Sequence, residues 1–219
     1  MVTTHTPGLS ALQLKRQLGI ARYETAWLML HKLRRAMLRP DREPLHLKVE
    51  VDETCVGGRE EGKRGGREIG NKALVIGAVE VRGTASGRIR LQGVSDASGP
   101  SLGSFVKLNV EQGAVVITDA WKGYTGLSDM GYRHEPHVQG GPEGAEKYLP
   151  RIHRAFGNLK TWLLGTHHGI GKKHMQAYLN EFAFRFNRRR TPKAAFQTLL
   201  GLGSQRDPTT YDDIVELTG

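Results

Sequence analysis

The sequence predicts a mixed α/β fold, a sheet flanked by helices and preceded by a small helical segment, on three observations. His46–Gly58 alternates Leu47, Val49 and Val51 with Lys48, Glu50 and Asp52, the period of a half-buried strand. Ala114–Asp119 is a short, continuous, β-branched run, as expected of a strand buried on both faces and parallel to a neighbour. After Pro150, the residues Ile152, Phe156, Leu159 and Leu163 recur at helical spacing, one apolar stripe that can lie on a sheet.

Composition limits the function classes. A chain of 219 residues is long enough to bury a proper core, and a formal charge of +10 with a pI near 9.9 points to a polyanionic partner, nucleic acid first. No apolar run approaches the roughly 18 to 20 residues that span a bilayer, and no apolar signal segment opens the chain, so a soluble intracellular protein with no membrane partner is expected. The single cysteine, Cys55, excludes an internal disulfide framework and a cysteine-rich zinc module within this sequence, and it reads as strand packing rather than as a nucleophile.

In chain order, residues 1–8 read as a frayed end. Ser10 can cap a helix through Leu18, Gly19 can turn, and Arg22–Arg39 reads as a longer helix with Trp27, Leu30, Leu33 and Met37 on its apolar side. Helix, glycine turn, helix is the outline of a helix-turn-helix; a plain basic packing hairpin is the alternative. In the first reading Arg22, Lys32, Arg34 and Arg35, with His31 and Arg39, supply cations to DNA. Pro40 and Pro44 bracket a linker. Arg59–Asn71, rich in Gly, Arg, Lys and Glu, reads as a long basic connection. Leu74–Arg82 and Arg88–Val94 extend the first strand into an antiparallel meander, and Ser101–Val110 is helical. Tyr132–His137 is a further strand candidate, Gln139–Ala145 an irregular glycine-rich loop.

The expected units are 1–44 as helix-turn-helix and linker, 45–203 as a catalytic domain, and 204–219 as a tail.

The chemistry-bearing residues sit at the ends of these elements. Asp52 is expected near the end of the first strand and Asp119 closes the fourth, where open α/β sheets gather functional groups. Lys122 follows Asp119 and can face phosphate. On the late helix His153 and Lys160, seven apart, lie about 20° from each other around the axis, with Arg151 and Arg154 as a cationic rim. Gly157 lies between them and, costing about 1 kcal/mol against alanine in a helix, hints at a close approach there. Glu143 and Glu146 rival His153 as third ligand but fall in the glycine-rich loop. His167 and His168 are weaker candidates, and the cations of Asn187–Arg190 can serve DNA or the helix C-terminus equally.

Three strands, a helix, a strand ending in Asp and a helix carrying His153 describe a ribonuclease-H-like fold with a divalent-metal site. Two carboxylates can flank two Mg²⁺ ions about 4 Å apart, for phosphodiester hydrolysis and strand transfer. Imidazole at a third position favours Mn²⁺ over Mg²⁺.

Three stretches, Val51-Asp-Glu-Thr-Cys-Val-Gly-Gly58, Ile117-Thr-Asp-Ala-Trp-Lys-Gly-Tyr124, and Gly165-Thr-His-His followed by Lys173–Arg189, together resemble the ISXO-like bacterial insertion-sequence transposases, over nearly the whole chain from about Pro7. The resemblance implies a DDE-like catalytic domain in which two aspartates join a third residue, Glu, Asn or His, with a lysine seven positions on. In this sequence those are Asp52, Asp119, His153 and Lys160, and 34 residues separate Asp119 from His153. It further implies double-stranded DNA as partner, both terminal inverted repeats and target, a homo-oligomer assembled on DNA, and a place in the bacterial cytoplasm at the nucleoid. Two features depart from the family pattern. Cys55 stands where relatives commonly have Tyr, and the cysteine-rich zinc ribbon that usually precedes the helix-turn-helix is not in this sequence. A non-catalytic DNA-binding protein or inactive remnant lacking that ribbon is therefore the alternative to an active transposase. A nuclease that cuts without joining is the third reading.

Overall fold

The computed structural model describes residues 3, 8–39, 41–57, 72–138, 147–167, 170–205 and 207–215; the basic connection 59–71, Glu143, Glu146 and His168 lie outside them. In chain order the described elements are α1 (Ala11–Leu18), α2 (Tyr23–Ala36), β1 (Lys48–Val56), β2 (Ala73–Arg82), β3 (Ala85–Val94), α3 (Gly99–Asn109), β4 (Val115–Asp119), a 3₁₀ helix (Lys122–Leu127), β5 (Arg133–His137), α4 (Pro150–His167), a 3₁₀ turn (Lys172–His174), α5 (Met175–Asn187), α6 (Pro192–Ser204) and α7 (Asp212–Val215). They form two compact units, Arg42–Lys160 and Met1–Asp41 with Thr161–Gly219.

The first unit is built on a five-stranded sheet of order β3-β2-β1-β4-β5. β1, β2 and β3 are an antiparallel meander, while β4 and β5 run parallel to β1. The alternation of β1 sends Val49 and Val51 to one face, where they pack with Ile76, Ala78 and Val116 against Leu102, Phe105 and Val106 of α3 and against Tyr124 and Leu127. α3 begins where Ser98 accepts a hydrogen bond from the Ser101 backbone N–H and Pro100 occupies the first turn, two residues earlier than the sequence suggests. The opposite face carries Glu50 and Asp52 and is covered by α4.

That cover is close. A Cβ placed on Gly77 would stand 2.8 Å from Ile152 Cδ1, 2.8 Å from Phe156 Cε1 and 3.0 Å from Leu91 Cδ2. The strand carries glycine there because the helix occupies the space of a side chain. Gly77→Ala is expected to cost about 1 to 3 kcal/mol through overpacking. A thermal melt checks this; an unchanged midpoint would mean that the α4 layer shifts freely. Gly157 is different: among the described residues a Cβ there meets nothing within 4 Å, so none of them makes the close approach expected at that position.

The second unit is helical. Ser10 caps α1 by accepting from the Gln13 N–H at 3.2 Å, and Gly19 ends it in the left-handed conformation at φ 64°. Leu9, Ala11, Leu14, Ala26 and Leu30 form one small core, and Ala36, Met37, Phe184, Ala195 and Leu199 another. The N-terminal helices thus share a core with the C-terminal ones, and the compact units divide the chain at 41/42 and 160/161. The physical reason is long-range pairing. Arg34 on α2 donates to Glu181 on α5 at 2.7 Å with both side chains 1% exposed, and its guanidinium lies 4.0 Å from the Tyr178 ring centroid.

Candidate active site

The site begins with the way β1 and β4 part. Their parallel ladder covers Lys48↔Val115, Val49↔Val116 and Glu50↔Ile117. Past it β1 continues along β2 as far as Val56, while β4 continues along β5 to Asp119. Asp52 and Asp119 each stand two residues beyond the last shared pair, on one face of the sheet by the period of the strands. Asp119 is the last residue of its strand, as expected. Asp52 is mid-strand rather than near an end: what ends two residues before it is the pairing with β4, while β2 carries β1 onward.

Each carboxylate is oriented by a backbone donor. Asp52 Oδ1 accepts from the Glu53 N–H at 2.9 Å, and Asp119 Oδ1 from the Trp121 N–H at 3.1 Å. The Asp52 side chain is 9% exposed, and His153 Nε2 lies 3.3 Å from its Oδ2. Two of the three expected metal ligands, distant in sequence, are therefore in direct proximity. Tyr124, wholly buried on the 3₁₀ helix after Asp119, donates its hydroxyl to Glu53 Oε2 at 2.7 Å. Burial first, then the negative charges of Glu53, Asp52 and Asp119, push this phenol well above the usual tyrosine range, so it stays protonated and donating.

His153 reaches Asp52 because of Glu50, whose role sequence reasoning missed. Glu50 is fully buried on β1, two residues before Asp52 and on the same face. Its Oε2 accepts from the backbone N–H groups of Arg151 and Ile152 at 2.7 and 2.9 Å, and its Oε1 from Arg151 Nη1 at 2.7 Å. A strand carboxylate thus caps the first turn of α4, satisfying donors that a helix start leaves open and complementing its dipole. The one signal for this in the sequence is an acid at a strand position whose face a helix must cover.

The expected cations divide by their surroundings. Arg22, Lys32, Arg35, Lys122, Arg154 and Lys160 are exposed, with Arg35 Nη1 3.9 Å from Asp213 Oδ2. Lys160 lies two turns beyond His153 on α4. Two expectations are corrected. Arg34 is buried against Glu181 and Tyr178. Arg151 is spent on Glu50 and on the carbonyls of Ala85, at 3.2 Å, and Gly83. Arg34 is itself buried away from the surface, and Arg151 cannot serve a phosphate without leaving the buried Glu50 without its counter-charge. His167 packs edge-on against Trp162 and Tyr178, an aromatic contact rather than a ligand position. Arg188 and Arg189 lie over Phe184 and Phe186 and donate to their carbonyls, which favours the helix C-terminus over DNA.

Among the described residues no three His, Cys, Asp or Glu side chains stand together as a metal cage. The donor chemistry nonetheless suits a hard divalent ion. Mg²⁺ keeps several waters and is commonly held by one or two carboxylates plus substrate phosphate, and two carboxylates on one face supply that.

A sheet with β1–β3 antiparallel and β4 and β5 added parallel, an acid on each of the neighbouring strands β1 and β4 and a helix laid across them, is the arrangement of a ribonuclease-H-like fold. Residues 44–187, about two-thirds of the sequence, match the ISXO2-like transposase domain, and the chain belongs to that family. No curated protein matches it. Among solved structures it is similar to a chain of a simian T-cell lymphotropic virus intasome in complex with the PP2A regulatory subunit B56 gamma, at 13% identity and TM-score 0.42, covering 81% of this chain and 64% of that one. It is also similar to the Mos1 transposase paired-end complex with left transposon end, at 12% identity and TM-score 0.40, covering 80% and 62%. The catalytic domain of Mos1 mariner transposase matches at 12% identity and TM-score 0.38, covering 84% and 93%. The chain therefore spans less than two-thirds of the first two relatives, and family membership rests on the sequence match.

Proposed function

We propose that this transposase-family protein catalyses metal-dependent cleavage of DNA phosphodiesters and transfer of the cut strand, acting on the terminal inverted repeats of an insertion sequence and on target DNA. The observation that carries the reading is the placement of Asp52 and Asp119 on one face of two parallel strands, at the point where the strands part, in a chain of this family. Asp52, Asp119 and His153 would hold Mg²⁺ or Mn²⁺, two ions in the full site. When bound, the metal supplies the Lewis acidity that activates water or a 3′-hydroxyl and stabilises the leaving oxygen.

The protein's own residues do the rest. The Glu53 and Trp121 N–H groups orient the two carboxylates. His153, beside Asp52, can hold or move a proton at Nε2. Lys160 offers a cation to the phosphate beside the cut. The exposed Arg22, Lys32 and Arg35 of the α2 segment, with Lys122 and Arg154, contact the DNA backbone. The protein works at the bacterial nucleoid and assembles as a homo-oligomer on DNA to hold two ends together.

The test is incubation of the full chain with labelled terminal-repeat duplex and Mg²⁺ or Mn²⁺, with and without chelator. Nicking at the repeat end and joining of the 3′ end to a second duplex are expected, both lost with chelator. Salt-sensitive binding without nicking would make it a non-catalytic DNA-binding protein, and cutting without joining a nuclease.

Two arginine-helix variants separate surface from interior. Lys32→Ala is expected to leave the melt unchanged and to reduce the slope of log affinity against log salt by about one. Arg34→Ala, two residues on, removes the shorter of the two arginine contacts of the buried Glu181, leaving Arg185 at 3.4 Å, and is expected to cost about 2 to 4 kcal/mol of stability. A binding defect for Arg34→Ala in a fully stable protein would reverse the assignment.

A further inference from the structure

We infer that Tyr124 is a positioning residue, its hydroxyl bonded to Glu53 so as to set the separation of Asp52 and Asp119. The inference rests on reading those two aspartates as the metal-holding pair.

The need for such a device follows from the sheet. The β1–β4 ladder ends at Glu50↔Ile117, short of both acids. Beyond it each strand follows a different neighbour, β1 with β2 and β4 with β5. Past Glu50↔Ile117 no ladder pair ties β1 to β4, so both aspartates lie on segments that backbone pairing does not hold to each other.

One set of bonds spans the opening. Asp52 Oδ1 accepts from the Glu53 N–H at 2.9 Å. Glu53 Oε2 accepts from the Tyr124 hydroxyl at 2.7 Å, across 71 residues of sequence. The Tyr124 N–H donates to the Trp121 carbonyl at 3.0 Å. The Trp121 N–H in turn donates to Asp119 Oδ1 at 3.1 Å. The far end is held as well, since the Trp121 indole N–H donates to the Ala97 carbonyl at 2.9 Å. A continuous route of hydrogen bonds and short covalent links thus joins one carboxylate to the other, and the phenol is its long-range link. The Tyr124 ring cannot drift, because it is wholly buried among Val51, Ile76 and Leu102. A charge-assisted bond to a carboxylate from a fixed donor is both short and directional. A tyrosine that merely filled the core would need an acceptor for its hydroxyl; it would not need one on the residue next to Asp52.

The experiment uses the full chain and Mn²⁺ as probe, with bound ion counted by electron paramagnetic resonance and folding followed by circular dichroism. Wild type is expected to bind Mn²⁺ at a site lost in Asp119→Asn. Tyr124→Phe keeps the ring and removes the hydroxyl; it is expected to melt cooperatively above the assay temperature yet bind Mn²⁺ about tenfold or more weakly, as loss of an outer partner does. Glu53→Ala should show the same loss, and the double variant should be no weaker than either single one, because both remove one bond. Glu53→Gln, which keeps an acceptor for the phenol, should recover most of the affinity. Equal Mn²⁺ affinity in wild type and in folded Tyr124→Phe overturns the inference and leaves the proposed metal site standing. If Tyr124→Phe does not fold, equal affinity in Glu53→Ala overturns it in the same way. Absence of any Asp119-dependent Mn²⁺ in the wild type overturns the metal site itself and this inference with it.

Discussion

Replacing Asp119 or Asp52 with asparagine is expected to reduce strand cleavage and joining by about a hundred- to a thousandfold, the scale on which removing one preorganised electrostatic group acts. Asparagine keeps an oxygen for the N–H of Trp121 or Glu53, so the local fold survives and the charge alone is lost. DNA affinity should be unchanged or slightly tighter, since a protein of net charge +10 has given up a negative charge near its substrate. Cleavage is read on a labelled repeat end, and binding on the same duplex without metal. A variant at either position that still cuts at the wild-type rate would remove that carboxylate from the chemistry. Equal defects in cutting and in binding would mean that the residue serves the DNA surface and not the reaction.

The second large effect is on stability, at Glu50. This side chain is fully buried and accepts three hydrogen bonds from Arg151 and Ile152. Glu50→Ala leaves the start of α4 without its acceptor and leaves the Arg151 guanidinium, itself 16% exposed, without its counter-charge. Breaking a buried pair from one side costs about 3 to 5 kcal/mol. For a chain of this size that lowers the melting midpoint by about 10 °C. Glu50→Gln keeps an acceptor for the helix start and should fall between. Because α4 carries His153 to within 3.3 Å of Asp52, activity should fall further than the melt alone explains. A Glu50→Ala protein that melts with the wild type would show that α4 is held by its apolar face alone.

Much of this was legible in the residues themselves. The alternation through His46–Gly58, the β-branched run to Asp119 and the apolar spacing after Pro150 each specify an element by contacts local in sequence, and β1, β4 and α4 stand where those patterns lie. Asp119 at the close of β4 follows from the same run. The fate of the cations was not legible. Lys32, Arg34 and Arg35 lie within one turn of α2, and a step of one residue turns a side chain by about 100° around the axis. Which of them faces inward depends on Glu181, 147 residues away. Arg151 likewise is turned from the surface by Glu50, 101 residues earlier, which no pattern local to α4 encodes.

By itself, then, the amino-acid order determined the sheet-forming and helix-forming segments, the basic character and the family, because periodicity, charge and motif are properties of neighbours along the chain. Only the tertiary structure decided that Asp52 lies where β1 leaves β4 rather than where β1 ends, that Glu50 caps the helix bearing His153, and that the Tyr124 phenol bonds to Glu53 beside Asp52. Those are pairings between residues far apart in sequence. Burial in a shared interior makes such pairings strong, and no local pattern encodes them.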